Sequence, residues 1–225
     1  MARGRLIVLE GPEGAGKTTQ QRMLAGRLKN AGHEVLALRE PGGTPLGDSI
    51  RAMLLDSLHE MTPAAEALLF MASRAEIVSL RIDPALRDGV VVLMDRFFLS
   101  TYAYQIAGRG LDETQIRQAN ALATAGHVPD LTIVIDVPPE AGLARAEARG
   151  SKDRMERADG DFHSKVSRAF SRFATEEWQK DHPECGPIVK VNGTSSPEQV
   201  QNDIVGVLAQ NLPEHFSMLV TANAG

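Results

Sequence analysis

Gly11, Gly16, Lys17 and Thr18 stand in the spacing G-x-x-x-x-G-K-[ST], and that spacing is suited to holding a polyphosphate. Glycines let the backbone fold so that successive N–H groups turn inward on an anion, and a helix starting at the end of the loop adds the positive end of its dipole. In such a loop the lysine reaches the β- and γ-phosphates and the neighbouring hydroxyl ligates Mg²⁺. Lys17 is therefore the expected catalytic cation and Thr18 the expected metal ligand, with Glu13, Gly14, Ala15 and Thr19 completing the cradle. Phosphoryl transfer asks for alignment of two oxygens and for cancellation of the charge spread over the moving group. A metal-holding carboxylate and further cations should lie close by. Asp95 and Arg96 follow the apolar run VVVLM. Asp95 is placed to hold Mg²⁺ directly or through water, and Arg96 to bridge donor and acceptor phosphates; a surface ion pair at a strand end is the competing reading.

Three other groupings could carry chemistry. Arg149, Lys152, Arg154 and Arg157 fall in a polar break between two helices, interleaved with Asp153 and Glu156. A segment of that kind can be a solvated helix end, or a mobile flap that brings arginines over a triphosphate and excludes water. Phe70 and Arg74 are four residues apart and share a helix face. They can stack on a nucleobase and bond its edge, or fill the core and pair with Glu66. Ser100 with Tyr104, and Thr101 with Gln105, form i,i+4 pairs that give a polar surface beside Asp95 and Arg96.

The elements that must position these residues alternate. Leu6 to Leu9 reads as a strand buried on both faces, Thr18 to Asn30 as a helix and Glu34 to Leu38 as a second strand, a right-handed βαβ unit and hence a parallel sheet. Further strands are expected at Val90–Met94, Leu131–Asp136 and Ile188–Val191, which makes the fold α/β with five parallel strands flanked by helices on both faces. Helices are expected from near Leu46, from Thr62-Pro63 to about Leu80, after Asp83-Pro84, from Ser100 to Ala107, after Asp112, from Pro138-Pro139 to Arg149, through the apolar series Phe162, Val166, Phe170, Phe173 and Trp178, and after Ser196. In an open α/β sheet ligands gather at the carboxyl ends of the strands, where Gly11 and Asp95 both fall.

The chain has 225 residues and a net charge of −5, with no basic tract, so a nucleic-acid polymer is not an expected partner. No run approaches the ~20 apolar residues of a membrane span, and the opening residues MARGR do not read as a secretory signal. A single cysteine, Cys185, suits a reducing cytosol and reads as an inert thiol near the surface. Residues 1–212 are expected to form one domain, with a flap at about 149–160; the tail 213–225 reads as poorly ordered.

GPEGAGKTT, REPGGTPLG, EALLFMASRAE, DRFFLSTYAYQ, GRG and ARGSKDR, in this order and spacing, resemble bacterial thymidylate kinases over about residues 5 to 205. DR-x-x-x-S-x-x-A-Y-Q together with REPGGT separates that family from adenylate, guanylate and cytidylate kinases. The resemblance implies a P-loop nucleoside monophosphate kinase fold with an arginine-bearing lid. It also implies transfer of the γ-phosphoryl of ATP to dTMP with Mg²⁺, by a cytoplasmic homodimer. By motif position Phe70 would stack on thymine, Arg74 would bond the base edge, and Ser100, Thr101 and Gln105 would complete the base pocket. Tyr104 would sit against the sugar and disfavour a ribose 2′-OH. Arg51 and Arg96 would hold the acceptor phosphate with Glu40 near it and the metal. The loop interior carries no basic residue, so Arg149 and Arg154 would supply catalytic charge from the lid. Adenine would rest near Arg149 and the Asn192-Gly193 loop. Two other readings remain: a kinase acting on the nucleoside, and an ATPase switch.

Overall fold

The computed structural model describes residues 3–56, 60–148, 154–155 and 160–221. Strand β1 (Leu6–Glu10) is buried along its whole length, because apolar residues at every position suit a strand covered on both sides. It lies at the centre of the sheet. β2 (Val35–Arg39) pairs with β3 (Val91–Asp95), β3 with β1, β1 with β4 (Leu131–Asp136), and β4 with β5 (Ile188–Asn192). The order is β2-β3-β1-β4-β5 and every pairing is parallel. Successive side chains go to opposite faces. Leu6, Val8, Val92, Met94 and Val134 enter one core, and Ile7, Leu9, Leu93, Ile133 and Ile135 enter the other.

Parallel strands need crossovers, and the helices supply them. α1 (Lys17–Asn30) covers the second core with Leu24 and Leu28. Its Gln21 sends Nε2 to the carbonyls of Leu38 and Leu93 at 2.6 and 2.7 Å, fixing the helix to β2 and β3. α2 (Pro45–Leu55) and α3 (Pro63–Ile77) each begin with proline behind a capping threonine, Thr44 and Thr62. The helix expected to reach Leu80 widens into a π turn over Val78–Ile82 before α4 (Asp83–Arg87). The helix expected over Ser100 to Ala107 likewise divides into α5 (Phe98–Thr101) and a π segment, Tyr102–Gly108. The reason lies in burial: Tyr102, Ala103, Tyr104 and Gln105 are four consecutive buried residues, more than one face of a regular α-helix can turn inward.

α6 (Glu113–Thr124) is capped by Asp112, whose carboxylate accepts from Gln115 N at 2.9 Å. α7 (Pro139–Glu147) follows β4. The apolar series from Phe162 to Trp178, read above as one helix, forms two: α8 (Gly160–Phe173) and α9 (Glu176–Asp181). Thr175 caps α9, and Trp178 folds back onto Phe173 with ring centroids 4.5 Å apart and stacks on His182 at 3.8 Å. α10 (Pro197–Asn211) is capped by Ser196. The described part of the tail is helical where fraying was expected, as α11 (Pro213–Phe216) and α12 (Met218–Thr221), and Phe216 is fully buried in the second core; residues 222–225 lie outside the described residues. Cys185 also differs from expectation, being fully buried rather than near the surface, and that burial pushes its thiol up from the ordinary range. Among the described residues no helix is long and apolar enough to cross a membrane.

Candidate active site

The chain leaves β1 into the loop 11–16 and re-enters regular structure at Lys17. Gly14 has φ 69°, and a Cβ there would lie 1.9 Å from the carbonyl oxygen of Gly142, on α7. A Cβ on Gly142 would in turn lie 2.4 Å from Glu13 O. Two glycines are what allow the loop to lie against α7. Gly16, at φ 95°, precedes α1 and offers no side-chain cap, so the first N–H groups of that helix are left for another acceptor. Lys17 is 7% exposed and donates from Nζ to the carbonyls of Gly11 and Pro12 at 2.9 and 2.7 Å. Burial, aided by the nearby Arg96 charge, brings its pKa down to about 8. Thr18 Oγ1 donates to Asp95 Oδ2 at 2.5 Å, so the two residues expected at a metal stand together.

Arg96 occupies the left-handed region at φ 72°. Its N–H donates to Leu9 O at 3.0 Å, and the turn after it is held by Glu10, whose Oε1 accepts from Phe97 N and Ser100 N at 2.7 and 3.0 Å. Glu10 Oε2 accepts from Ser100 Oγ at 2.7 Å. The Arg96 guanidinium donates to Ser100 Oγ at 2.9 Å, to Glu13 Oε1 at 2.6 Å and to Tyr104 Oη at 3.2 Å. Burial works against its charge, but Glu13 and the neighbouring acidic groups more than offset this and hold its pKa above the ordinary arginine value. Glu10 escaped the sequence reading. A carboxylate closing an apolar strand, LIVLE, was the available signal.

A cavity opens beside this turn. Glu13, Glu40, Arg51, Phe70, Arg74, Arg96, Ser100, Thr101, Tyr104 and Gln105 all reach its wall, so every residue expected at an acceptor nucleotide is gathered in one place. Its neighbour along the loop is lined by Gly14, Gly16, Lys17, Thr18, Thr19 and Asp95, and the two cavities share Glu13, Glu40, Arg51 and Arg96. A third opening shares Gly14, Gly16 and Thr19 with the second and continues to Ala15, Arg145, Gly193 and Ser195. The three form one groove past the carboxyl ends of the strands.

Not every expected contact appears. Arg74 is 1% exposed and pairs with Glu40 rather than with Glu66. Its Nε and Nη2 reach Glu40 Oε2 at 2.8 and 2.6 Å, Nη2 also reaches Phe97 O at 2.9 Å, and Nη1 reaches Thr101 Oγ1 at 2.9 Å and Asn120 Oδ1. A buried guanidinium must find counter-charge and acceptors inside the protein, and here its five N–H donors are used by protein groups. Burial raises the Glu40 pKa despite Arg74, and among the described residues Glu40 Oε1 has no hydrogen-bond partner. Arg154 does not lie over the phosphate loop: Nη1 pairs with Glu66 Oε2 at 2.6 Å, and Nε donates to Leu54 O at 2.9 Å. Arg149 and Arg157 lie outside the described residues. Asn192 does not line the third opening. Its Oδ1 caps the turn through Thr194 N at 3.0 Å, and Gly193 takes its place on the wall. There the sequence reading missed Arg145, on α7, whose Nη1 donates to Gly193 O at 2.9 Å.

Comparison with known proteins agrees with this geometry. A family model described as thymidylate kinase matches residues 9–204. A thymidylate kinase of Deinococcus radiodurans is 49% identical over 180 residues, covering 80% of this chain and 87% of its own. One from a Synechococcus species is 48% identical over 207 residues, 92% of this chain and 95% of its own. One from Carboxydothermus hydrogenoformans is 43% identical over 206 residues, 92% of this chain and 97% of its own. With a phosphate loop, a second cavity joined to it through Arg51 and Arg96, and a match of this extent, the chain belongs to the thymidylate kinase family of phosphotransferases.

Proposed function

We propose that the protein transfers the γ-phosphoryl group of ATP to the 5′-phosphate of dTMP. The P–O bond to the β-phosphate breaks, a bond from a dTMP phosphate oxygen to the γ-phosphorus forms, and ADP and dTDP leave. The observation that carries this reading is the shared wall of the first two cavities, where Arg51 and Arg96 belong to both. Two cations at the junction suit two phosphates meeting end to end, and a neutral nucleoside would give them nothing to grip.

In this reading the loop N–H groups and Lys17 hold the β- and γ-phosphates, Arg51 and Arg96 hold the dTMP phosphate, and Phe70 and Tyr104 flank base and sugar. Thr18 and Asp95 supply two hard oxygen donors, a set that fits Mg²⁺ completed by water and phosphate oxygens. When bound, that ion neutralises charge on the β- and γ-oxygens. Arg149 and Arg154 are kept as the cations that serve the moving group. Arg154→Ala should then depress kcat more than it raises KM for dTMP. A KM effect alone would assign Arg154 to the Glu66 cluster where it stands.

We place the enzyme in the cytoplasm as a homodimer; exposed Met53, Leu68 and Leu122 on α2, α3 and α6 offer apolar surface for a second copy, and sedimentation of the purified protein checks this. The test of activity is ADP release with dTMP, dUMP, UMP, CMP, AMP and thymidine offered separately. Turnover best with any acceptor but dTMP overturns the reading.

A further inference from the structure

Glu66, on α3, is fully buried, and both its oxygens are taken. Oε1 accepts from Gln105 Nε2 at 2.9 Å and Arg109 Nε at 3.2 Å, while Oε2 accepts from Arg109 Nη2 at 3.0 Å and Arg154 Nη1 at 2.6 Å. Burial pushes this carboxyl up, but the bonds from Arg109, Gln105 and Arg154 outweigh that and hold it below the ordinary carboxylate range. An ionised carboxylate accepts and cannot donate. Only the NH₂ end of the Gln105 amide can therefore face it, and the carbonyl end is turned away.

Gln105 lines the cavity assigned above to the acceptor nucleotide, and among the described residues its side-chain oxygen takes no hydrogen bond. On the same wall Thr101 Oγ1 accepts from Arg74, which leaves its single proton to give. Arg74 itself has no uncommitted N–H. The wall thus presents one acceptor and one donor of fixed sense.

We propose that Glu66 is a positioning residue for base selection: by locking the Gln105 amide in one orientation it presents a lone acceptor that a 2,4-dioxopyrimidine satisfies and a 4-aminopyrimidine does not. This rests on dTMP being the acceptor nucleotide. Thymine has a single edge donor, N3–H, so N3–H is what Gln105 Oε1 must receive, and Thr101 gives its proton to a flanking carbonyl. A cytosine ring in the same place brings a lone pair at N3 against Oε1. Gln105 cannot turn over to meet it without losing its bond to Glu66. A site whose buried polar groups are left mismatched rejects the analogue by orders of magnitude.

The experiment compares dTMP with 5-methyl-dCMP, which keeps the methyl group, sugar and phosphate and changes only the ring edge. Wild type should favour dTMP in kcat/KM by about 10³ or more; a ratio near unity overturns the proposal without any variant. Glu66→Gln frees Gln105 to turn over, and the ratio should fall by about tenfold or more while KM for ATP stays within a few-fold. A folded Glu66→Gln protein with the wild-type ratio overturns it. The exchanged pair Glu66→Gln with Gln105→Glu keeps a carboxylate among Arg109 and Arg154 and puts an acceptor-only group at the ring edge, so it should restore the preference for dTMP. Failure to restore it counts against the proposal, and this pair carries the test should the single variant not fold. A wild type inactive on dTMP would instead overturn the functional reading itself.

Discussion

With 7% of its surface exposed, Lys17 is held down to about pKa 8, first by burial and then by Arg96. Below that pH its amino group is charged in both folded and unfolded chains, and the penalty of burying it is felt in full. Between about 8 and 10.5 the folded chain has released the proton and the unfolded chain has not, so stability rises with pH through that window and levels off above it. The gap corresponds to about 3 kcal/mol. Lys17→Met should therefore stabilise the nucleotide-free protein at pH 7 by up to about that amount, flatten the rise toward pH 10, and lower kcat by about 10² or more. Urea titrations at the two pH values alongside turnover check this; a variant no more stable than wild type at pH 7 removes the burial argument. Arg96 separates backbone from charge in a similar way. Its φ of 72° suits glycine and strains other residues by ~1 kcal/mol. Arg96→Gly and Arg96→Ala should lose kcat equally, by about 10² or more, while the glycine variant melts at the higher temperature. Equal melting temperatures would mean that the bonds from Glu10 to the following turn do not depend on that conformation.

The phosphate loop works as an element because it is braced against another. A methyl group at Gly14 meets the Gly142 carbonyl at 1.9 Å, so Gly14→Ala must displace either the loop or the first turn of α7. The expected result is KM for ATP raised at least about tenfold with KM for dTMP little changed, since the acceptor cavity is walled by other elements. Unchanged ATP kinetics would show the contact to be soft. That loop was legible in the sequence because its chemistry is local: a fixed spacing of glycines, lysine and threonine between an apolar run and a helix. The strands were legible for the same reason, and so were the caps at Thr62, Asp112 and Ser196. What escaped depends on contacts distant in the chain. The π segment at Tyr102–Gly108 answers to aromatic partners on α8 and α9, and nothing in its own seven residues marks it. Glu66 was one of two alternatives offered for Arg74, on the same expected helix, yet the fold gives Arg74 to Glu40 and brings Arg109 and Arg154 to Glu66. Spacing along one helix ranks only local partners; a buried carboxylate takes whichever cations the tertiary structure delivers.

Across the whole molecule, chemistry and anchoring occupy opposite ends of the sheet. Glu10, Glu40 and Asp95 stand at or just beyond the carboxyl ends of β1, β2 and β3 and reach the cavities or their supporting turn. The C-terminal helices close the other end. Arg5, just before β1, donates to His215 Nε2 at 3.2 Å, and the Phe216 ring lies 5.5 Å from that of His33, just before β2. Phe216 is fully buried among the residues of the second core, with Leu208 and Leu219. Removing its ring leaves a cavity that the short helices α11 and α12 can only partly refill, and such losses destabilise by about 3–5 kcal/mol. The strands between that cavity and the groove are paired along their length and covered on both faces, so a change at one end should not be felt as altered geometry at the other. Phe216→Ala should accordingly lower the melting temperature by several degrees while leaving KM for ATP and for dTMP, and kcat, within about twofold at 25 °C. Melting curves and initial rates on the same preparation measure both. A folded variant with a markedly raised KM would mean that the two ends of the sheet are mechanically linked, and that the tail belongs to the catalytic apparatus rather than to its foundation.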